Sequence, residues 1–198
     1  MLMNNAGNPR KGSFYPLNTH KLENEVIEYF APLYGFDKGD CWGIVTHSGT
    51  DGNMHAMYFG VNYIKSKIKN KTLPIVYVSA EAHYLIKRIA DFMNLEVKII
   101  PTHPMGQMDT REFEKALDLS KPALVVIAMG TTFKGAINDQ KTILQLINKK
   151  KPIAYYILPD AALFGCFLPF SEYRDVVNRK MFFFHSIAVS GHKFFGSD

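Results

Sequence analysis

The chain has 198 residues, of which 47% are hydrophobic and 21% are charged, and its formal net charge is +5. This length supports one substantial hydrophobic core and fits a single domain better than two, and the composition excludes a disordered chain. The lysines are spread along the sequence. Their densest run, Lys149 to Lys151, is typical of a solvated helix end, so we expect no nucleic-acid partner.

Cysteine content and hydropathy indicate the compartment. Cys41 and Cys166 lack the spacing of metal ligands, so no metal site is predicted, and so few cysteines favour a reducing environment. No apolar stretch is long enough to cross a bilayer, and the N-terminus lacks the apolar core of a signal peptide. We therefore expect a cytoplasmic protein with no membrane partner.

The first predicted element is a helix, for which Asn18 or Thr19 is the candidate cap. Apolar residues recur at helical spacing from Leu22 to Leu33, and Pro32 predicts that the helix ends or kinks nearby. A strand is predicted at 42–46. A second helix is predicted to begin within 50–53, and its expected apolar face consists of Met54, Met57, Tyr58, Val61 and Ile64.

The rest of the chain alternates between short apolar runs and amphipathic stretches. Strands are predicted at 75–79, 97–100, 124–128, 153–158 and 185–189. Helices are predicted at 84–93, 109–117 and 140–148, the second of them capped by Asp109. This alternation predicts an α/β fold with a mostly parallel central sheet, and short all-apolar runs are typical of strands covered on both faces.

Polar residues follow four of the predicted strands. The small residues 48–50 follow 42–46, His83 follows 75–79, Asp160 follows 153–158, and Lys193 follows 185–189. In an open α/β sheet, ligands bind outside the carboxyl ends of the strands. An anion-binding loop, an imidazole, a carboxylate and an amine together meet the needs of pyridoxal phosphate. They would supply a phosphate cradle, a face for the ring, a counter-charge for its nitrogen and a partner for its aldehyde.

Each of these sites also has a plainer interpretation. Residues 48–53 match an ordinary turn with a helix N-cap, and they lack the Gly-Lys-Ser/Thr ending of a P-loop. A lone histidine such as His83 is more often a satisfied helix cap or core residue, Asp160 also fits a helix cap, and Thr132 fits a plain turn. Lys193 by itself is typical of a solvated surface residue. Their common position after predicted strands favours the cofactor site.

These stretches resemble the pyridoxal-phosphate-dependent group II amino-acid decarboxylases. The resemblance is strongest to the histidine decarboxylase branch, which includes the plant serine decarboxylases. The matching stretches occur in the same order as in the family and extend over nearly the whole chain. The matching positions are 18–19, 23–30, 42–43, 49–53, 79, 83–84, 130–136, 160–165, 168–170 and 190–193.

The resemblance implies a fold-type-I large domain with helices on both faces of the sheet. Residues 1–40 would form an N-terminal segment with one helix, and residues 41–198 an incomplete cofactor-binding domain. Relatives continue well beyond the lysine, so we expect the C-terminal part of the large domain and the small domain to be missing. The resemblance also implies a homodimer with active sites at the subunit interface.

It further implies pyridoxal phosphate as cofactor and assigns roles to individual residues. Lys193 would bind the cofactor covalently, Asp160 would pair with the ring nitrogen, and His83 would stack on the ring; these three are the expected catalytic residues. The resemblance assigns the phosphate side to Gly49, Thr50, Ser190 and His192, and Thr132 to the ring side. The residue pattern itself adds Ser48 to the phosphate candidates, although His47 and Ser48 depart from the family pattern, and adds Ala162 as the small residue that leaves room for the ring.

The reaction implied is loss of the α-carboxylate of a small amino-acid substrate, with histidine as the first candidate, serine as the second and an aromatic amino acid as the third. Two alternatives stay open. In the first alternative, the chain is a catalytically inactive remnant or partner subunit. In the second, it uses the same cofactor and fold for another reaction, such as transamination.

Overall fold

The computed structural model describes residues 5, 7–13, 15–37, 39–69, 72–194 and 196. Five strands in this part of the chain form one parallel sheet in the order β2-β1-β3-β4-β5. The strands are β1 (Ile75–Ser79), β2 (Val97–Ile100), β3 (Ala123–Ala128), β4 (Tyr155–Ala161) and β5 (Ala188–Val189). The predicted α/β fold with a mostly parallel sheet is confirmed.

Five α-helices accompany the sheet in the described residues. They are α1 (His20–Phe30), α2 (Gly49–Lys67), α3 (Leu85–Phe92), α4 (Thr110–Ala116) and α5 (Gln140–Lys150). Short 3-10 helices occur at Ala31–Tyr34, Leu168–Phe170, Arg174–Val177 and Gly191–Lys193. None of the helices described is both long and apolar enough to cross a membrane.

Helices cover both faces of the sheet, and its central strands are therefore buried on both sides. All residues of β1 and β3 are buried. Val78 lies in the core that contains the buried residues of α2 and α3, whereas its neighbour Tyr77 lies in the core formed with α4 and α5. Successive side chains of a strand point to opposite faces, so one all-apolar run supplies both cores.

Helix α2 lies unusually close to β4. Gly60, in the middle of the helix, faces Tyr156, and a Cβ atom placed on Gly60 would lie only 2.7 Å from Tyr156 Cδ1. The absence of a side chain at this position therefore sets how closely the helix approaches the sheet.

The predicted helix ends near Pro32 and Asp109 are confirmed. Helix α1 ends at Phe30 and passes into the 3-10 turn that contains Pro32. The Asp109 carboxylate accepts hydrogen bonds from the backbone N–H groups of Arg111 and Glu112, at 2.8 and 3.2 Å, and so caps α4. At α1 the Thr19 side chain makes no capping bond, and Asn18 Oδ1 accepts from His20 N instead.

The strand predicted at 42–46 is wrong. These residues have no regular secondary structure, and Trp42 and Val45 are 44% and 56% exposed. Val45 N donates to Glu23 Oε1 at 2.7 Å, and Gly43 lies against Ile27, so the segment packs on α1 rather than in a sheet. An apolar run forms a strand only where a neighbouring strand accepts its backbone hydrogen bonds.

Smaller corrections concern boundaries and one face. Helix α2 begins at Gly49, ahead of the predicted start, and Tyr58 on its expected apolar face is 56% exposed. Strand β4 is displaced toward the C-terminus: Ile153 is 48% exposed, and Asp160 lies within the strand rather than after it. Strand β5 contains only two residues, and at His185 the ring Nδ1 accepts the hydrogen bond from Ile157 N at 3.0 Å while the ring stacks on Tyr156.

Candidate active site

A pocket of about 490 Å³ lies at the carboxyl edge of the sheet. Its walls come from the segments that follow β1, β3, β4 and β5 and from the N-terminus of α2. All ten residues predicted to contact the cofactor line it, namely Ser48, Gly49, Thr50, His83, Thr132, Asp160, Ala162, Ser190, His192 and Lys193. The fold thus brings together side chains that are up to 145 positions apart, from Ser48 to Lys193.

The N-terminus of α2 forms one wall of the pocket. Ser48 is the N-cap, and its Oγ accepts a hydrogen bond from Asp51 N at 3.2 Å, so the plain helix-cap interpretation holds for this side chain. Helix geometry leaves the N–H groups of Gly49 and Thr50 without an intrahelical acceptor. These two amides and the helix dipole make this end of α2 suitable for an anion.

Ser190 lies directly against this helix end. It is only 5% exposed, and within the described part of the chain its Oγ has no hydrogen-bond partner. A Cβ atom on Gly49 would lie 2.5 Å from Ser190 Oγ and 3.5 Å from Ala162 Cβ. An unpaired buried hydroxyl beside two free amides fits a phosphate group, which would satisfy all three donors.

Asp160 supplies a negative charge at the base of the pocket. It is 8% exposed, and its Oδ1 accepts hydrogen bonds from Asn53 Nδ2 at 3.1 Å and Ala162 N at 3.3 Å. Both bonds go to Oδ1, which leaves Oδ2 for another donor. Among the described residues no cation pairs with this carboxylate. A protonated pyridine nitrogen fits such a carboxylate, because a buried charge is costly unless it is paired.

His83 is half-buried where the chain passes from β1 to α3. Its Nδ1 lies 3.3 Å from Leu85 N and accepts that hydrogen bond, so the neutral ring carries its proton on Nε2. The Tyr84 ring lies 4.5 Å away, centroid to centroid, and is tilted by 32°. His83 therefore has the helix-capping contact of the plain interpretation, yet it also lines the pocket.

The loop after β3 presents Thr132 to the pocket. Its neighbour Thr131 is 1% exposed, and Thr131 Oγ1 accepts from Ala136 N at 3.0 Å, so that hydroxyl stabilises the loop itself. Gly130 has a φ of +102°, and a Cβ there would meet Phe164 Cδ2 at 2.8 Å. Only glycine combines this backbone conformation with so close a neighbour.

Lys193 and His192 lie on the 3-10 turn Gly191–Lys193 that follows β5. Both side chains are exposed and line the pocket. The Lys193 amine is therefore accessible to a ligand in the pocket.

The sequence-based prediction missed several residues of the site. Asn53 is fully buried and binds Asp160, although no role was assigned to it. Five further residues line the pocket, namely Leu85, Ala128, Gly130, Thr131 and Leu163. A glycine and a threonine directly after a buried strand were a usable signal for Gly130 and Thr131, whereas Asn53 offered none.

A second cavity, of about 270 Å³, lies at the other end of β4. It is lined by aromatic residues around His185 and by Lys67, and by none of the ten predicted residues. Burial, followed by the charges of Arg179 and Lys67, lowers the pKa of His185 to about 4. This cavity contains neither the carboxylate nor the helix N-terminus that pyridoxal phosphate requires.

The fold is that of a pyridoxal-phosphate-dependent enzyme domain, and comparison with known proteins identifies the family. A family model described as "Pyridoxal-dependent decarboxylase conserved domain" matches residues 14–197. The chain therefore belongs to the pyridoxal-dependent decarboxylase family, whose cofactor is pyridoxal phosphate. The resemblance inferred from the sequence is confirmed.

Individual relatives carry different substrate names. Histidine decarboxylase of Solanum lycopersicum is 33% identical over 200 residues, which are 98% of this chain and 46% of that protein. Serine decarboxylase 3 of Oryza sativa subsp. japonica is 34% identical over 199 residues, which are 99% of this chain and 43% of that protein. The chain thus spans a little under half the length of these two relatives.

A solved structure shows the same fold. L-methionine decarboxylase from Streptomyces sp. 590 superposes with a TM-score of 0.84 at 19% sequence identity, over 98% of this chain and 58% of that one. At this identity the similarity establishes the fold alone.

Proposed function

We propose that this chain binds pyridoxal phosphate in the pocket at the carboxyl edge of the sheet, and that the protein removes the α-carboxylate of an amino acid. The observation that carries the proposal is the convergence of a helix N-terminus, a buried carboxylate, an imidazole and a lysine on one pocket. Each matches one chemical group of the cofactor.

The chain's own residues would hold the cofactor at three points. The amides of Gly49 and Thr50 and the Ser190 hydroxyl would donate hydrogen bonds to the phosphate, with His192 beside them. Asp160 Oδ2 would accept a hydrogen bond from the protonated ring nitrogen and keep that nitrogen charged. His83 and Thr132 would contact the ring, and the small side chain of Ala162 would leave room for it.

Lys193 would bind the cofactor covalently through its amine, and its exposure in the pocket supports this role. When bound, pyridoxal phosphate supplies an electron sink for the electron pair left on the α-carbon as carbon dioxide departs. Asp160 would sustain that sink by retaining the positive charge on the ring nitrogen. His83 Nε2–H is available to orient the substrate carboxylate.

We propose histidine as the substrate and histamine as the product, with serine as the second candidate. The named relatives support both, since the identities of 33% and 34% do not separate them. The test is to incubate the protein, loaded with pyridoxal phosphate, with each amino acid and to quantify histamine and ethanolamine by mass spectrometry.

Lys193→Ala serves as the control without the reactive amine. Histamine formed only by the unsubstituted protein supports the proposal, and a predominance of ethanolamine would identify serine as the substrate instead. Bound cofactor without carbon dioxide release from any amino acid would favour an inactive remnant.

We further propose a homodimer in the cytoplasm. Leu22, Val26 and Tyr29 recur on one side of α1 and are 60%, 44% and 62% exposed, and an apolar stripe of this kind supports subunit contact. Cys41 and Cys166 are both free thiols, which supports a reducing compartment. Light scattering after size-exclusion chromatography tests the dimer, and a monomeric mass at all concentrations would contradict it.

We also propose that the chain divides near residue 40 into an N-terminal segment and the cofactor-binding domain. Limited proteolysis tests it, since a linker near residue 40 would be cleaved before the sheet.

A further inference from the structure

One buried side chain connects two parts of the candidate site. Asn53 lies on the first turns of α2 and is 0% exposed. Its Nδ2 donates one hydrogen bond to Gly49 O at 2.9 Å and another to Asp160 Oδ1 at 3.1 Å. Asn53 does not line the pocket, so any effect on a ligand has to pass through these partners.

The chemistry of its partners fixes the orientation of the Asn53 amide. A carbonyl oxygen and a carboxylate oxygen only accept hydrogen bonds, so the NH₂ group must face both of them. The Oδ1 atom then points the other way, and in the described part of the chain it has no hydrogen-bond partner. An unsatisfied buried acceptor is unfavourable, so packing alone would be served better by an apolar residue.

We propose that Asn53 is a positioning residue, which turns the Asp160 carboxylate so that Oδ2 faces the ring nitrogen of the cofactor. This inference rests on the proposed function. The other hydrogen bond to Asp160 comes from Ala162 N, is longer at 3.3 Å, and would be the only one left to hold the carboxylate without Asn53. With Asn53 present, two donors converge on Oδ1 and oppose rotation of the carboxylate, so Oδ2 stays directed toward the pocket.

The bond to Gly49 O gives the same side chain a second effect. Gly49 belongs to the helix turn proposed to bind the phosphate, whereas Asp160 is proposed to bind the ring nitrogen. Asn53 therefore fixes the position of one cofactor contact relative to the other.

The test compares two ligands that differ only at the ring nitrogen. Dissociation constants are measured for pyridoxal phosphate and for 1-deazapyridoxal phosphate, in which a C–H group replaces that nitrogen. The unsubstituted protein is expected to bind pyridoxal phosphate at least about tenfold more tightly, since only the nitrogen can pair with Asp160. Asn53→Ala is expected to weaken pyridoxal phosphate about tenfold more than it weakens the analogue, since any loss at the phosphate turn through Gly49 affects both ligands alike.

Two further variants separate positioning from a loss of structure. Asn53→Leu has a similar volume but no donor, and it should reduce the preference as Asn53→Ala does, without leaving a cavity. Asn138→Ala is the matched control, because Asn138 is another buried asparagine, 2% exposed, whose Oδ1 accepts from Met108 N away from the pocket. It should leave the preference between the ligands unchanged.

The outcomes distinguish this inference from the proposed function. If the Asn53 variants lose affinity for both ligands equally, so that the preference is unchanged, the positioning role is overturned and the assignment of Asp160 is left intact. If the unsubstituted protein shows no preference for pyridoxal phosphate, the ring-nitrogen role of Asp160 fails, and the role of Asn53 fails with it.

Discussion

The close approach of Gly49 to Ser190 gives a prediction whose size follows from the structure. In Gly49→Ala the new methyl group would lie 2.5 Å from Ser190 Oγ, so the buried Ser190 side chain must move. Overpacking of this kind costs about 1–3 kcal/mol, and the higher helix propensity of alanine returns up to about 1 kcal/mol. We expect the free energy of unfolding to fall by about 1–2 kcal/mol.

The same substitution should be harmless once Ser190 Oγ is absent. In a Ser190→Ala background the nearest remaining atom is Ala162 Cβ at 3.5 Å, an ordinary contact. There Gly49→Ala should be neutral or stabilising, so the two substitutions should show a coupling energy of about 1–3 kcal/mol.

Urea unfolding of the unsubstituted protein, the two single variants and the double variant measures this coupling. Additive effects, within about 0.5 kcal/mol, would refute the argument that the hydroxyl is what requires glycine here. Titration with pyridoxal phosphate adds an independent readout. The double variant should regain stability but not affinity, since it still lacks the Ser190 hydroxyl.

Three further predictions concern single residues. Borohydride reduction of the protein loaded with pyridoxal phosphate, followed by peptide mapping, should place the label on Lys193, and a label elsewhere contradicts the assignment. Asp160→Asn should still bind the cofactor but lose most decarboxylase activity, because the ring nitrogen loses its counter-charge; unchanged activity would exclude this role. The pKa of His185 is lowered from 6.5 to about 4, so as the pH falls the unfolded chain binds a proton before the folded chain does. The free energy of unfolding should therefore fall between pH 6.5 and pH 4. The fall should be about 2 kcal/mol, a value that allows for partial exposure of the ring. A His185→Gln variant whose unfolding free energy shows the same decline would contradict this.

The sequence was most informative where one local pattern determines the structure. Residues 75–79 and 124–128 were predictable because strands buried on both faces need an unbroken apolar run. The pocket was predictable from the same pattern, since the carboxyl ends of parallel strands meet at one edge and polar residues follow them. Asp160 could be assigned to this edge even though the predicted end of its strand was three residues too early.

The remaining features depend on partners that the local sequence does not specify. Residues 42–46 have the composition of a strand, yet Val45 N is bound by the Glu23 side chain. The role of Asn53 depends on a hydrogen bond to a residue 107 positions away, which no periodicity indicates. Likewise, the exposure of Tyr58 depends on how α2 is rotated about its axis against β4.

The contact of Gly60 with Tyr156 has a consequence for how the empty and loaded protein differ. Gly49 and Gly60 lie on one helix, about 16 Å apart at 1.5 Å per residue, so the anion-binding end and the sheet-packing middle move as one rigid element. A ligand that immobilises the end of α2 therefore also restrains the helix where it packs on β4. Saturation with cofactor should then slow hydrogen exchange at the backbone amide of Tyr156, which does not line the pocket. Occupancy of the pocket and integrity of one half of the core should therefore be thermodynamically linked through a single helix.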